Sequence, residues 1–178
     1  MHDKVLVVID VQKEYVTEGR LFNIRSIGPS LKNAKSVLDH ARSAGWQVIH
    51  MRHLQAGTIF NPESEFSAFV EGFEPIASEA NFSKNDFSCY SDTQFASLMA
   101  TLKDKEIVVI GYGTTMCVLS TIIDGYHRGQ KFTLVEDATA AKSSQLKSEE
   151  ALRDHCVDIL RTFAKVTNTA SLASGSHS

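Results

Sequence analysis

Three side chains in this sequence could together form a nucleophilic site: Cys117, Asp10 and Lys84. Cys117 follows an apolar run and a glycine turn, at the predicted start of a helix, where free N–H groups and the helix dipole stabilise a thiolate. Asp10 closes another apolar run, and a carboxylate there can take the proton of a thiol. Lys84 can lower the pKa of the thiol and balance the charge of the carboxylate. The set predicts covalent catalysis by a thiol.

Each of the three residues also has a simpler interpretation when it is considered alone. Cys117 could be a small buried hydrophobe, Asp10 a capping or loop residue, and Lys84 a solvated loop lysine. The catalytic interpretation depends on their convergence in space. If they converge, the backbone N–H groups of Gly113 and Cys117 are positioned to form an oxyanion hole.

The two other cysteines differ in their predicted positions and roles. Cys156 falls in the middle of a predicted helix and is interpreted as packing, whereas the role of Cys89 stays open. Three cysteines at wide spacing, without a CxxC pair, favour free thiols in a reducing compartment, and we expect a cytoplasmic protein.

Apolar runs and helical periodicities alternate along the chain, which predicts an α/β fold with a parallel sheet and helices on both faces. The predicted strands span residues 4–10, 46–51, 80–84, 106–110, 131–135 and 165–167. The predicted helices span residues 29–44, 91–102, 115–128 and 148–163, with a short amphipathic segment at 64–73. Ligands of such sheets bind at the carboxyl ends of the strands, where Asp10, Lys84 and the turn before Cys117 lie.

Length and charge exclude several classes of protein. The 178 residues predict one domain over residues 1–172, followed by a flexible polar tail over residues 173–178. The net charge of −3 argues against nucleic-acid binding and against a polybasic membrane anchor. No apolar run approaches the roughly 20 residues of a membrane span, and no signal-peptide pattern is present at the N-terminus.

The segment Gly111-Tyr112-Gly113 also permits a dinucleotide-binding interpretation. A strand, a GxG turn and a helix form part of that fingerprint, but its third glycine is replaced by Met116. The nucleotide interpretation is therefore the weaker of the two, and we predict no cofactor.

Three ordered motifs resemble those of the isochorismatase-like cysteine hydrolases: Val7-Val8-Ile9-Asp10-Val11-Gln12, Lys84, and Gly111-Tyr112-Gly113-Thr114-Thr115-Met116-Cys117-Val118. The resemblance covers about residues 4–172. It implies a Rossmann-like three-layer α/β/α sandwich with a six-stranded parallel sheet, and a catalytic triad at Asp10, Lys84 and Cys117. It also implies a cis peptide bond between Tyr112 and Gly113, and a homo-oligomer.

The resemblance leaves the substrate open. Nicotinamidase-like members add a metal site with an Asp-x-His pair, but the corresponding stretch here is His50-Met51-Arg52-His53-Leu54-Gln55. The Asp-x-His pair is missing, and His50 and His53 alone lack a third ligand. Residues three apart on a strand also point to opposite faces, so we predict no metal. The substrate pocket is expected to include Tyr15, His53, Phe60, Phe87, Tyr90 and Tyr112, although aromatic residues are more often core.

The thiol favours hydrolysis of a C–N bond in a small amide through a thioester on Cys117, with Asp10 as general base and acid. Family members that cleave a vinyl ether do not require the thiol, so a second hypothesis is a vinyl ether hydrolase with Asp10 as the acid. A third hypothesis is a non-catalytic oligomeric binding protein of the same fold. We expect a small-molecule substrate as the partner, and neither nucleic acid nor a membrane.

Overall fold

The computed structural model describes residues 3–175, which form a six-stranded, fully parallel sheet with the order β3-β2-β1-β4-β5-β6. The strands are β1 (Lys4–Ile9), β2 (Gln47–His53), β3 (Ala80–Lys84), β4 (Glu106–Tyr112), β5 (Lys131–Ala140) and β6 (Lys165–Thr167). The helices are α1 (Lys13–Val16), α2 (Ile27–Ser43), α3 (Thr93–Ala100), α4 (Leu119–His127), α5 (Glu149–Leu160) and α6 (Thr169–Ser174). The predicted α/β class and the six parallel strands are confirmed.

The two central strands, β1 and β4, are buried on both faces. In the register, Val7 of β1 lies beside Ile49 of β2 and Val109 of β4. Continuous β-branched runs suit this position, because both pleat faces are covered by helices and no polar face is needed. These strands therefore fix the carboxyl edge of the sheet at which the candidate residues emerge.

The core is divided into two layers by the sheet. On one face, Phe95 of α3, Ile122 of α4 and Leu160 of α5 pack against the strands. On the other face, Leu38 of α2 and Leu172 of α6 do the same. This arrangement is the predicted three-layer sandwich, and it places helices on both sides of the candidate site.

Several element bounds differ from the sequence prediction. Strands β4 and β5 are longer, because Tyr112 pairs with Ala140 beyond a register shift that follows Val109. Helix α3 begins at Thr93, two residues after the predicted start, because the Asp92 side chain accepts a hydrogen bond from Phe95 N–H and caps it. The predicted helix over 115–128 is a π-helical turn over Thr114–Val118 followed by α4.

Two short helices were not predicted. Helix α1 begins at Lys13, shortly after the first strand, and α6 is capped by Asn168, whose side chain accepts a hydrogen bond from Ser171 N–H. The predicted flexible tail over residues 173–178 therefore begins inside α6, and residues 176–178 lie outside the described residues. Within residues 3–175, the helices are too short or too polar to cross a bilayer.

Candidate active site

The structure brings Asp10, Lys84 and Cys117 together at the carboxyl edge of the sheet. Lys84 Nζ lies 2.9 Å from Asp10 Oδ2 and 3.3 Å from Cys117 Sγ. The Lys84 and Asp10 side chains are fully buried, and Cys117 is 4% exposed. Lys84 starts from β3, two strands away from β1 in the sheet, and its long side chain crosses the end of β2. Convergence, on which the catalytic interpretation depended, is thus observed.

Asp10 is held in a left-handed backbone conformation immediately after β1. Its φ is 50°, its N–H donates to the Met51 carbonyl at 2.9 Å, and its own carbonyl accepts from Gln12 N–H at 2.8 Å. Aspartate tolerates this conformation better than most residues, but it still carries a conformational cost. The turn aims the carboxylate inwards, and Oδ1 is buried with no hydrogen-bond partner among the described residues. One oxygen of the carboxylate thus binds Lys84 and the other is free to take a proton.

His53 supplies a third acceptor to the lysine. Lys84 Nζ lies 3.1 Å from His53 Nδ1, and His53 Nε2 lies 2.9 Å from Gln55 Oε1. Because an ammonium group only donates, Nδ1 must accept, and the ring proton must then sit on Nε2 and point to Gln55. His53 was predicted only as a pocket residue, and its contact with Lys84 has no signal in the sequence.

Gln12 was also missed by sequence reasoning, although it lies within the first motif. Its side-chain amide is fully buried and donates to the carbonyls of His53 (2.9 Å) and Ser67 (2.8 Å). Its Oε1 accepts from His53 N–H at 2.8 Å. These three bonds tie the end of β2 and the following loop to the segment that carries Asp10. Gln12 therefore holds the frame of the site rather than its reacting atoms.

The turn before Cys117 depends on glycine. Gly111 has φ +120°, and a Cβ at this position would lie 2.0 Å from the Ile9 carbonyl oxygen. The Tyr112–Gly113 peptide bond is cis, at the position that the family resemblance implies. The Gly113 carbonyl accepts from both Met116 N–H and Val118 N–H, which closes the π-helical turn around Cys117. The oxyanion hole predicted at the N–H groups of Gly113 and Cys117 remains a prediction.

The surroundings of Cys117 shift the pKa of its thiol in the direction opposite to the sequence-based expectation of a stabilised thiolate. Burial raises the pKa of Cys117 well above its ordinary value, the Asp10 charge raises it further, and Lys84 only partly offsets these effects. For Lys84 itself, burial lowers the pKa, but the charge of Asp10, joined by that of Cys117 when it is a thiolate, raises the pKa more, so the ammonium persists. The resting site therefore holds a neutral thiol beside an ion pair, and Cys117 needs a base before it can attack.

A cavity of about 210 Å³ opens onto the Cys117 thiol. Of the predicted pocket residues, four line it: Tyr15, His53, Phe60 and Phe87. Further lining residues not named by sequence reasoning are Phe22, Gln55, Ile59, Asn85, Asp86 and Met116. Burial, and then the charges of Cys117 and Asp10, raise the pKa of Tyr15, so its hydroxyl stays protonated beside the thiol.

Two residues predicted for the pocket, Tyr90 and Tyr112, do not line this cavity. The Tyr90 ring packs 5.2 Å from the Phe95 ring, on the face of the sheet covered by α3 and α4. The Tyr112 ring is fully buried behind Tyr15, with ring centroids 5.8 Å apart, and its hydroxyl lies 2.9 Å from Ser30 Oγ. Sequence position alone does not determine which side of the sheet an aromatic residue faces. Here both Tyr90 and Tyr112 pack in the core.

The side chains of Asp10, His53 and Cys117 offer ligand atoms within 4.8 Å of one another. Such a group could in principle hold a metal ion. Lys84 Nζ, however, already contacts all three side chains, so its ammonium supplies the cation of the cluster. His50 points to the other side of β2, where its Nε2 lies 2.8 Å from Glu79 Oε2. His50 and His53 thus lie on opposite faces of β2, and the absence of a metal remains a prediction.

The three cysteines are free and buried. Burial raises the pKa of Cys89 to about 12 and that of Cys156 to about 11. The Cys156 thiol donates to the Thr114 carbonyl at 3.2 Å, and all three cysteines pack in the same layer of the core. Of these thiols, the one at the cavity wall is Cys117.

The parallel sheet and the buried thiol, ammonium and carboxylate at its carboxyl edge define a class: an α/β protein with a candidate cysteine nucleophile. The isochorismatase domain family matches residues 4–171. The chain therefore belongs to the isochorismatase family of hydrolases.

Relatives and solved structures agree with this assignment. The secreted isochorismatase effector Isc1 of Verticillium dahliae is 33% identical to this chain, over 76% of the chain and 72% of that protein. Ureidoacrylate amidohydrolase RutB of Rhizobium rhizogenes is 26% identical, over 77% of this chain and 70% of that protein. The crystal structure of an isochorismatase from Pseudomonas putida KT2440 superposes with a TM-score of 0.86 at 27% identity, covering 95% of this chain and 89% of that one.

Proposed function

We propose that this protein hydrolyses a C–N bond of a small amide through a thioester on Cys117. The observation that carries the proposal is the buried Asp10 carboxylate. One of its oxygens is bound to Lys84, while the other has no hydrogen-bond partner within residues 3–175. A carboxylate oxygen of Asp10 lies within 4.8 Å of the Cys117 sulfur. A buried oxygen without a partner is costly, and a catalytic role accounts for its retention, so we assign it to proton transfer.

In the proposed mechanism, Asp10 takes the proton of Cys117 as the thiolate attacks the carbonyl carbon of the amide. The N–H groups of Gly113 and Cys117 stabilise the negative oxygen of the tetrahedral intermediate. The C–N bond then breaks, the nitrogen leaves with the proton held by Asp10, and a thioester remains. Asp10 next takes a proton from water, the hydroxide attacks the thioester, and the acid is released as Cys117 regains its proton.

Lys84 stays charged throughout this cycle. Its raised pKa keeps the ammonium protonated at neutral pH, and its contacts with both Asp10 and Cys117 let it follow the negative charge as it moves from carboxylate to thiolate. His53 accepts the third Lys84 hydrogen and holds the ammonium in place. The thiolate, unfavourable in the resting protein, is therefore formed only during attack.

Two further observations support an amide as the substrate. A relative at 26% identity is named as an amidohydrolase, a class of enzyme that cleaves C–N bonds. The cavity volume of about 210 Å³ suits a small molecule.

A second candidate function is hydrolysis of a vinyl ether with Asp10 as the acid. It is favoured by the relative at 33% identity, which is named as an isochorismatase. In that reaction the Cys117 thiol is dispensable. The vinyl ether function therefore predicts an active Cys117→Ala variant, whereas the amide function predicts an inactive one.

The experiment compares wild type, Cys117→Ala and Asp10→Asn on a panel of small amides and on isochorismate. The amide mechanism predicts turnover of an amide by wild type and loss of at least about 10³-fold in kcat/KM in both variants. Full isochorismate turnover by Cys117→Ala, with loss in Asp10→Asn, would instead establish the vinyl ether reaction. Cys156→Ala is the matched control, because it removes a thiol that faces the core.

A homo-oligomer is part of the same proposal, on the basis of the family resemblance. A reducing, cytoplasmic setting is proposed because the three buried cysteines are unpaired.

A further inference from the structure

Within residues 3–175, the cavity beside Cys117 is lined by an acidic side chain and by no lysine or arginine. Among the described residues that line it, the side chain with a formal charge is the carboxylate of Asp86. Its polar neighbours are the neutral amides of Gln55 and Asn85, and the His53 ring is a neutral acceptor toward Lys84. No lysine or arginine is among these lining residues, so the wall offers no counter-charge to an acidic substrate.

The cations near the cavity are already engaged. Lys84 Nζ is buried and directs its three hydrogens at Asp10, His53 and Cys117. The Arg20 guanidinium binds the buried Glu14 carboxylate at 2.9 Å and the Thr58 carbonyl at 2.8 Å. All three Lys84 hydrogens thus have buried partners, which are costly to give up, and Arg20 is not among the residues that line the cavity.

Aromatic rings form another part of the wall. The Tyr15 and Phe60 ring centroids are 5.4 Å apart, and those of Phe22 and Phe60 are 5.7 Å apart. Phe87, which follows Asp86 directly, is 50% exposed at the cavity. Aromatic faces attract ammonium groups through their quadrupole, and a carboxylate beside them strengthens this attraction.

Asp86 itself is available to a ligand. It is exposed, and its Oδ1 accepts a hydrogen bond from the N–H of Phe87 at 2.7 Å. No cationic side chain forms an ion pair with it within the described part of the chain. The backbone contact orients the carboxylate and leaves its second oxygen for a ligand.

We infer that this site selects amides that carry an ammonium or alkylammonium group, which Asp86 and the aromatic wall bind, and that it rejects amides that carry a carboxylate. The inference rests on the proposed function, since it describes the substrate of the Cys117 site. The inferred substrate is opposite in charge to the acid, ureidoacrylate, that gives one relative its name.

The charge of the cavity can be measured without knowing the substrate. Methanethiosulfonates with a 2-ammonioethyl, 2-hydroxyethyl or 2-sulfonatoethyl group differ in charge at similar size. Each transfers its alkylthio group to a thiolate, which forms a disulfide and releases methanesulfinate. The rate at Cys117, followed by peptide mass spectrometry and divided by the rate at free 2-mercaptoethanol, reports the local potential.

The inference predicts that the ammonium reagent modifies Cys117 at least about fivefold faster than the sulfonate reagent after this normalisation. Asp86→Asn should reduce the ratio by about two- to fivefold, and high salt should reduce it in wild type. Asp104→Asn is the matched control, because Asp104 precedes β4 at the far end of the sheet and its loss should leave the ratio unchanged. Equal rates for the two charged reagents, or an unchanged ratio in Asp86→Asn, would overturn the inference.

A substrate series distinguishes this failure from failure of the proposed function. Amides of the form X–CH2–CH2–CONH2 are compared, where X is an ammonium, a carboxamide or a carboxylate group. The inference predicts the highest kcat/KM for the ammonium compound and the lowest for the carboxylate. A preference for the carboxylate compound with a thioester still formed on Cys117 would refute the charge selection alone, whereas turnover by Cys117→Ala would refute the proposed function.

Discussion

Lys84 Nζ donates to Asp10 Oδ2 at 2.9 Å, and the side chains of both residues are fully buried. The bond joins the end of an outer strand to the end of a central strand, across β2. Because neither charge is stable in the interior without the other, this ion pair links the stability of the fold to the integrity of the site.

Removing the ammonium should therefore destabilise the protein as well as inactivate it. We expect Lys84→Met to lower the free energy of unfolding by about 3–5 kcal/mol, because the Asp10 carboxylate loses its buried counter-charge. Urea unfolding at pH 7 measures the loss. The double variant Asp10→Asn, Lys84→Met should recover part of the stability but none of the activity. A Lys84→Met protein as stable as wild type would contradict this account of the pair.

The turn before Cys117 should not tolerate any side chain at Gly111. An added Cβ would meet the Ile9 carbonyl oxygen at 2.0 Å, and φ is +120°. We expect Gly111→Ala to cost about 3 kcal/mol or more in thermal or urea unfolding. Gly129→Ala is the control, because Gly129 has φ +84° but open space around it, and we expect a cost of about 1 kcal/mol. Equal costs would show that the contact with β1 is unimportant.

Glu79 makes the free energy of unfolding depend on pH in the acidic range. Although burial raises its pKa, hydrogen bonds from Arg42, Ile76 N–H and His50 lower it more, from 4.5 to about 2. A carboxyl whose pKa is lowered by folding stabilises the protein above its unfolded pKa, and this contribution disappears as the pH falls through about 2.

We therefore expect Glu79→Gln to lower the free energy of unfolding at pH 7 by about 2–3 kcal/mol, with the difference from wild type shrinking between pH 4.5 and 2. Glu71→Gln, at an exposed position, is the control. A difference that stays constant over this pH range would mean that the Glu79 contacts do not depend on its charge.

The resting thiol should behave as a weak acid. Because its pKa is raised by burial and by Asp10, we expect the rate of Cys117 alkylation by iodoacetamide to rise with pH through 9.0 without reaching a plateau. Cys89 and Cys156 should be modified more slowly, since neither lines the cavity. Quantitative peptide mass spectrometry measures all three rates. A plateau below pH 8 would indicate that a thiolate is already present at rest.

The parts of the site that depend on local sequence were predictable. The apolar run that ends at Asp10, and the run and glycine turn before Cys117, each place a residue at the carboxyl end of a strand. Lys84 was placed by the same rule, since it ends β3. Their complementary chemistry suggested that the three residues act as a set, and the family resemblance implied the same triad.

What could not be predicted depends on contacts between distant segments. The bonds of His53 to Lys84 and of Gln12 to Ser67 cross 31 and 55 residues of sequence. Sequence position favoured a lowered pKa for Cys117, but the extent of burial, which decides its direction, is a property of the folded chain. Burial also decides the position of Tyr112, which was predicted to line the pocket but is fully buried in the core.

The most direct test of the central claim is a search for an acyl group on Cys117 during turnover. Wild type is mixed with a small amide that it hydrolyses, quenched in acid, and analysed by intact-mass and peptide mass spectrometry. We predict a mass increase equal to the acyl group, located on the peptide that contains Cys117, removed by hydroxylamine and absent from Cys117→Ala. Turnover of the same amide by Cys117→Ala, or an acyl group on another residue, would contradict the account.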